Sequence, residues 1–370
     1  LCIMKNAKTT QKLTKEISKK YSLCNFCFSR LTSKKNTKSI QKCYICKNIF
    51  QQIDDISTRI LESMSLYEFS NFETGIILKP SVIDRDDHIK SEFQIKGVNS
   101  IKASVNHEIS KKLARKIKSE IKHKNSDIRI TVNFKDDSYE IHSRPLSIYG
   151  RYIKKTRMLT QKRHNCTNCL GKGCHSCNFH GLENFNSVDG KITKFLIDKF
   201  DCQQVKINWI GGEEKSSLVL GNGRPFFAKI TNPKKRKRIL RTKIQLEGIQ
   251  LLELRKIKTQ PKGQIAFKSN IEIIIKTSDH IKDRILTDLE QLDMPLHVHI
   301  NGKKTTLKRI YKMKFKKTAP KLLKVNMYAD GGIPIKSLIQ SSDIVPNFTE
   351  LLQNECECIQ FDFKKIDVVS

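Results

Sequence analysis

Gly211-Gly212-Glu213-Glu214-Lys215-Ser216-Ser217-Leu218-Val219-Leu220-Gly221-Asn222-Gly223-Arg224-Pro225-Phe226 is the stretch that decides how the chain is read. Two adjacent carboxylates precede what reads as a glycine-punctuated turn, then a fixed arginine and a proline. Glycines at 221 and 223 let backbone approach a ligand closely. Arg224 carries the forked guanidinium that grips a phosphate through two hydrogen bonds. The same pattern also fits a plain turn. Downstream, Lys234-Lys235-Arg236-Lys237-Arg238 sets five cations in a row, a candidate polyanion-binding tract or a solvated face.

Working outward, Val205 to Ile210 reads as a strand entering this run and Phe226 to Ile230 as a strand leaving it. Ser187 to Phe200 reads as a helix. Ile271 to Ile275 is dense in β-branched residues, as a buried strand is. Leu307 to Lys317 carries a second cationic stretch, with Lys308, Arg309, Lys312, Lys314, Lys316 and Lys317. Residues 183–370 are therefore expected to form an α+β domain. Upstream, Ile101, Val105, Ile109, Leu113, Ile117 and Ile121 recur every fourth residue, with Lys111, Lys112, Arg115, Lys116, Lys118 and Lys122 on the other faces. That spacing predicts an amphipathic helix with a basic outer surface. Alternation over Ile128 to Phe134, a break at Asp136-Asp137-Ser138, and resumption at Tyr139 and Ile141 predict a hairpin. Helix and sheet together suggest a compact α/β accessory module over residues 50–155.

Lys and Arg number 70 against 37 Asp and Glu, a formal net charge of +33 over 370 residues. Such a surface suits a polyanion, and nucleic acid is the commonest one. An abundance of lysine in the source proteome would account for part of the excess. No apolar run approaches the length of a membrane span and no cleavable signal pattern is evident, so a soluble, cytoplasmic protein is expected. The chain opens on Leu1 with Met4 close behind, as an unusual start codon or a few missing residues would give.

Eight of the twelve cysteines fall in close pairs. Cys24, Cys27, Cys43 and Cys46 form a C-x2-C, fifteen-residue gap, C-x2-C array, the spacing of a structural zinc site. Disulfides are the alternative, and they suit secreted chains. Cys166, Cys169, Cys174 and Cys177 form a second, tighter array around Leu170-Gly171-Lys172-Gly173, a second candidate zinc site. His164, His175 and His180 are nearby bystanders. Cys2, Cys202, Cys356 and Cys358 read as packing residues.

Several pieces in this order resemble the archaeal-type tRNA pseudouridine(54/55) synthases of the Pus-ten family, over nearly the whole length. They are Cys24-x2-Cys27-x2-Arg30, and Pro145-Leu146 with Tyr149-Gly150-Arg151-Tyr152. Next come the second cysteine array with Gly181, and Leu220-Gly221-Asn222-Gly223-Arg224-Pro225-Phe226. Pro295-Leu296 with Arg309, and Asp330-Gly331-Gly332 with Lys336 and Pro346, complete the series. The resemblance implies an α+β architecture in three parts: an N-terminal zinc module (1–50), a THUMP-containing α/β RNA-binding region (51–160), and a pseudouridine synthase domain (183–370) with a mixed sheet flanked by helices. The second cysteine cluster (161–182) would join the last two as a linker or zinc knuckle.

The implied substrate is tRNA, at uridine 54 or 55 of the T arm, with no membrane, nucleotide or organic cofactor involved and with structural zinc. The family's catalytic aspartate falls on Glu214, and the arginine beside it on Gly212. Arg224 or a nearby lysine is then the candidate counter-ion. Phe267 stands where the family tends to have the tyrosine that stacks on the target base, and His297 where relatives show arginine. Gly221, Gly223, Arg224, Phe267, Arg309 and Lys336 are the expected substrate contacts, and Lys234, Lys235, Arg236, Lys237 and Arg238 the expected RNA contacts. Two other readings stay open: a binding-only homologue, for which glutamate at 214 argues, and another THUMP-bearing tRNA modifier such as a methyltransferase or thiouridine synthase. The chain shows neither a nucleotide-binding glycine loop nor a Walker-type Gly-Lys-Ser.

Overall fold

The structure, a computed structural model, describes residues 7–36, 40–122, 124–291, 294–300 and 304–369. Contacts divide the chain into two units, Leu1–Arg144 with Lys234–Lys237, and Pro145–Pro233 with Arg238–Ser370. Cys2 lies outside the described residues.

The first unit runs α1 (Ala7–Lys20), α2 (Asn25–Thr32), α3 (Ile49–Met64), β1 (Asn71–Ile77), α4 (Pro80–Glu92), α5 (Ile101–Ile117), β2 (Glu120–Ile121), β3 (Ile128–Asn133) and β4 (Ser138–Ser143). Its sheet has the order β2-β1-β3-β4, parallel at β1 and antiparallel in the β3–β4 hairpin. Ile128, Ile130 and Val132 alternate into the core and meet Ile101, Val105, Ile109 and Leu113 of α5. Ser100 caps α5 by accepting from the Ala103 N–H at 3.1 Å, which satisfies a donor the helix cannot. The helix stops at Ile117 because Lys118 turns left-handed (φ 51°), so Ile121, in β2, pairs with Phe72 of β1 instead of extending the helical stripe. Arg30, from the first cysteine motif, forms an ion pair with the buried Asp86 and so fastens α2 to α4.

The second unit runs β5 (Leu146–Lys154), α6 (Val188–Phe200), β6 (Gln204–Trp209), β7 (Val219–Thr231), β8 (Lys243–Leu246), β9 (Ile249–Ile257), β10 (Phe267–Thr277), α7 (Asp283–Glu290), β11 (Met294–Ile300), β12 (Lys304–Ala319), β13 (Leu322–Asp330), α8 (Ile335–Gln340), β14 (Ile344–Val345), α9 (Phe348–Leu352) and β15 (Cys356–Val368). Its sheet follows β14-β11-β12-β13-β10-β15-β7-β5-β9-β8, with β6 also on β7. The β15–β7 contact is parallel, so the sheet is mixed. Ser187 caps α6 through the Gly190 N–H at 2.9 Å, and Val188, Ile192, Leu196 and Phe200 enter the core together.

Two expectations change here. β5 pairs with β7 and β9, so residues from Pro145 onward, expected in the accessory module (50–155) and the THUMP-containing region (51–160), group with the second unit. Gly221-Asn222-Gly223 is no turn but lies inside the thirteen-residue β7. A Cβ on Gly221 would sit 2.0 Å from the Lys364 carbonyl oxygen, and one on Gly223 2.6 Å from that of Tyr152. The glycines let neighbouring strands close on β7. The Asn222 side chain completes this join, donating to the Ile366 carbonyl and accepting from its N–H, both at 3.0 Å.

Candidate active site and cysteine clusters

Residues 210–218 form the connection between the antiparallel β6 and β7, where Trp209 faces Phe226. Adjacent residues on an extended segment point to opposite sides, and here that separates the two glutamates. The Glu213 side chain is wholly enclosed. Its Oε2 lies 2.7 Å from Arg224 Nε and its Oε1 3.9 Å from Lys154 Nζ. The Tyr152 hydroxyl donates to both carboxylate oxygens at 2.6 and 2.7 Å, and accepts from Gln161 Nε2 at 2.9 Å. Burial, and then the Glu213 charge, push the Tyr152 hydroxyl well above its ordinary pKa, so it stays a donor. Burial pulls Lys154 below the usual lysine range, against the opposing pull of Glu213.

The same groups fasten the loop backbone. Arg224 Nη1 donates to the Ile210 carbonyl at 3.0 Å, and Lys154 Nζ to the carbonyls of Leu159 and Glu214 at 3.0 and 2.9 Å. At the far end Arg157 Nη1 donates to the Ser216 carbonyl at 2.5 Å, and the guanidinium grips Asp362 through two bonds of 2.8 Å. Asp362 in turn accepts from the Leu218 N–H at 2.8 Å. Burial raises the Asp362 pKa, but its bonds from Arg157 and the Leu218 N–H outweigh this and hold it low.

Glu214 points the other way. Its side chain is 40% exposed, and Oε2 lies 2.8 Å from Nζ of Lys336, in α8. That hydrogen bond raises the Lys336 pKa. The counter-ion of Glu214 is therefore Lys336. Arg224, expected as counter-ion or phosphate grip, is 0% exposed, paired to Glu213, and lies with Cζ 4.4 Å from the Phe363 ring centre. It has no face for a substrate phosphate. Gly221 and Gly223, also expected as substrate contacts, act in strand packing as described.

A cavity of about 810 Å³ reaches this loop at Gly211 and is also lined by Trp209, Phe267, Lys308, Asp330 and Gly331. Gly211 (φ +72°) has room only for hydrogen, since a Cβ would lie 2.4 Å from Phe267 Cζ and 2.6 Å from Arg224 Nη1. The half-buried Phe267 ring is thus held against the loop carrying both glutamates. Arg309 is exposed on β12, and its N–H donates to Asp330 Oδ2 at 2.9 Å.

Both cysteine arrays close. In each, the four sulfurs lie within 4.8 Å of one another. Zinc held tetrahedrally by sulfur at about 2.3 Å sets neighbouring sulfurs about 3.8 Å apart. Cys24 and Cys46 are 3.7 Å apart, Cys166 and Cys174 4.0 Å, and Cys169 and Cys177 3.8 Å. Backbone N–H groups of Gly173 and Gly181 donate to the sulfurs of Cys169 and Cys177 at 3.1 and 3.3 Å. Both sets fit a structural zinc ion. His175 packs edge-on against Phe179, and the His180 Nδ1 accepts from the Leu182 N–H, so neither joins a cluster.

Within the cationic tract, Lys234–Lys237 groups with the first unit. Arg236 is not an open RNA contact: it donates to Ser143 Oγ at 2.9 Å and to the Arg144 carbonyl, with Asp127 at 3.7 Å. The Lys237 N–H donates to Glu68 at 2.8 Å, and the residue is exposed. Arg238 groups with the second unit and is exposed.

Residues 147–367 match the Pus10 C-terminal family, and residues 56–133 the archaeal Pus10 THUMP domain. The chain belongs to the Pus10 family. It is 39% identical over 373 residues to the tRNA pseudouridine synthase Pus10 of Nitrosopumilus maritimus (strain SCM1), spanning 96% of this chain and 97% of that protein. Against the tRNA pseudouridine synthase Pus10 of Cenarchaeum symbiosum (strain A), identity is 30%, over 94% of this chain and 90% of the relative.

In this Pus10 member, of the two counter-ions expected for Glu214, Arg224 pairs with Glu213 instead and a lysine, Lys336, takes the place; Lys154, Gln161, Arg157 and Asp362 are site residues that no motif marks. Tyr152 was visible inside the Tyr149-Gly150-Arg151-Tyr152 motif but without a role. Lys154 stands two residues after Tyr152, on the same face of β5, and that spacing is a signal: a charge on a core-facing position needs a partner. Nothing local pointed to Asp362, which lies more than two hundred residues from Arg157 in sequence.

Proposed function

We propose that this chain converts uridine to pseudouridine in tRNA, with Glu214 as the participating carboxylate. The observation that carries the reading is the separation of the two glutamates. A loop held at the Ile210, Glu214, Ser216 and Leu218 backbones turns Glu213 into the core and leaves the Glu214 carboxylate outward, ionically paired with Lys336. Fixing a carboxylate in place before substrate arrives is how positioning lowers a barrier.

In the reaction the N1–C1′ bond breaks, the uracil turns over, and C1′ bonds to C5. The C5 proton is lost and N1 gains one, so atoms and electrons balance within the substrate plus one proton relay. Glu214 acts either as nucleophile at C1′ or as base on a ribose proton. Lys336 pairs with it in the ground state. Phe267 offers a ring face for the base but no hydroxyl, so proton transfer at C5 falls to another group. Reaching the target requires extruding it from a folded loop, at a cost of a few kcal/mol, offset by phosphate contacts of the basic surfaces. The favoured target is uridine 54 or 55 of the T arm, with zinc in structural roles only.

Incubation with unmodified tRNA transcript, followed by carbodiimide mapping of pseudouridine, tests the reading. The unaltered chain should modify the T arm, Glu214→Gln should lose turnover while still binding tRNA, and Glu214→Asp should be slower because it withdraws the carboxylate from Lys336. The departures at Glu214 and Gly212 favour one second reading, a tRNA-binding protein without catalysis. No pseudouridine from the unaltered chain, with tRNA still bound, would establish it.

A further inference from the structure

Phe26 sits between two ligands of the first cysteine cluster, Cys24 and Cys27, and is 48% exposed. An aromatic ring is normally withdrawn from water, yet this one is fixed in place. Its sulfur-bearing neighbours hold the backbone, and its inner face stacks on Phe50 with ring centres 4.7 Å apart and planes 6° from parallel. Phe26 and Phe50 line a groove of about 370 Å³ whose other wall is the outer face of α5, with Lys111, Arg115 and Lys116. Those three are exposed, whereas Lys112 is engaged by Asp54. Phe26 therefore presents a flat apolar face beside three cations.

A flat π surface next to a cationic rim matches one ligand chemistry: a planar base attached to a phosphate. Stacking uses only the ring face and cations track the backbone. An unpaired base is needed, because a duplex hides its faces. We propose that the Phe26–Phe50 platform and the α5 cations form a stacking site for one unpaired nucleotide of the RNA substrate. The site lies wholly in the first unit, and rests on the RNA reading above without requiring catalysis. It also gives the basic face of α5 a function beyond solvation.

The test is anisotropy with fluorescein-labelled unmodified tRNA transcript, a labelled single-stranded RNA hexamer and uridine monophosphate as competitor, using the full chain with its zinc content measured. Phe26→Leu keeps apolar volume but removes the π face. It should weaken the hexamer and tRNA by about 5- to 140-fold at unchanged zinc content, while Phe26→Tyr should bind like the parent. Lys111→Ala with Arg115→Ala should flatten the log–log salt dependence for the hexamer by about 1.4. Parent-like binding by Phe26→Leu would overturn the proposal, as would equal losses in the Leu and Tyr variants. Competition by the monophosphate at concentrations matching the hexamer would also overturn it, assigning the groove to a free nucleotide. Failure here with pseudouridine still formed leaves the enzymatic reading standing. Phe26-dependent binding without pseudouridine leaves the stacking site standing alone.

Discussion

Replacing Glu213 by Gln changes no volume and removes one charge, yet the structure makes it the most damaging conservative change in the loop. Arg224 Nε and Lys154 Nζ face that carboxylate at 2.7 and 3.9 Å with no exposure on either side. Without it both cations are buried unpaired, and Arg224 cannot shed its proton. Lys154 can, because burial already lowers its pKa, so the cost is set by Arg224. Breaking one side of a buried ion pair costs about 3–5 kcal/mol. In a unit of this size that corresponds to a fall of about 6–20 °C in Tm. The chain holds a single tryptophan, Trp209, whose ring lies edge-on 5.4 Å from that of Tyr152. Its fluorescence on heating therefore reports the second unit without interference from the first. Adding Arg224→Met to Glu213→Gln removes the orphaned cation and should restore part of the loss. A Gln variant melting within a degree of the parent, with turnover intact, would refute the view that this buried pair orders the loop carrying Glu214.

Alkaline conditions should act through Tyr152: its folded pKa lies above the unfolded value, so its contribution is intact below about pH 10 and fades as pH rises through the folded pKa. Tyr152→Phe should flatten the fall in Tm above about pH 10. Changing Cys24 and Cys27 to Ser should remove about one zinc equivalent and loosen the first unit, and changing Cys166 and Cys169 a second equivalent, by elemental analysis. In the cationic tract, Arg236→Ala should destabilise the first unit through lost bonds to Ser143, Arg144 and Asp127. Lys235→Ala with Lys237→Ala should instead spare stability and reduce the salt slope of tRNA binding by about 0.7–0.9 per contact.

Local sequence determined what local physics can determine. The four-residue recurrence from Ile101 to Leu113 specifies α5, and alternation around Asp136-Asp137 specifies the β3–β4 hairpin. Cysteine spacing brings each set of four sulfurs together, since two thiolates three residues apart share a turn. The ordered motifs carried the family, because they follow its chain order whatever their contacts. Tertiary structure decided which glutamate faces out. Glu213 and Glu214 are the same residue type in succession, and partners on neighbouring strands, Tyr152, Lys154 and Arg224, select the inner one. It also turned Gly221-Asn222-Gly223 from a turn into strand, because β5 and β15 close on β7 from positions far along the chain. Arg224 changed from a candidate phosphate grip to a buried counter-ion for the same reason: periodicity encodes which face a side chain takes, but burial charges must be paired, and the pairing depends on strands that meet only in the folded sheet.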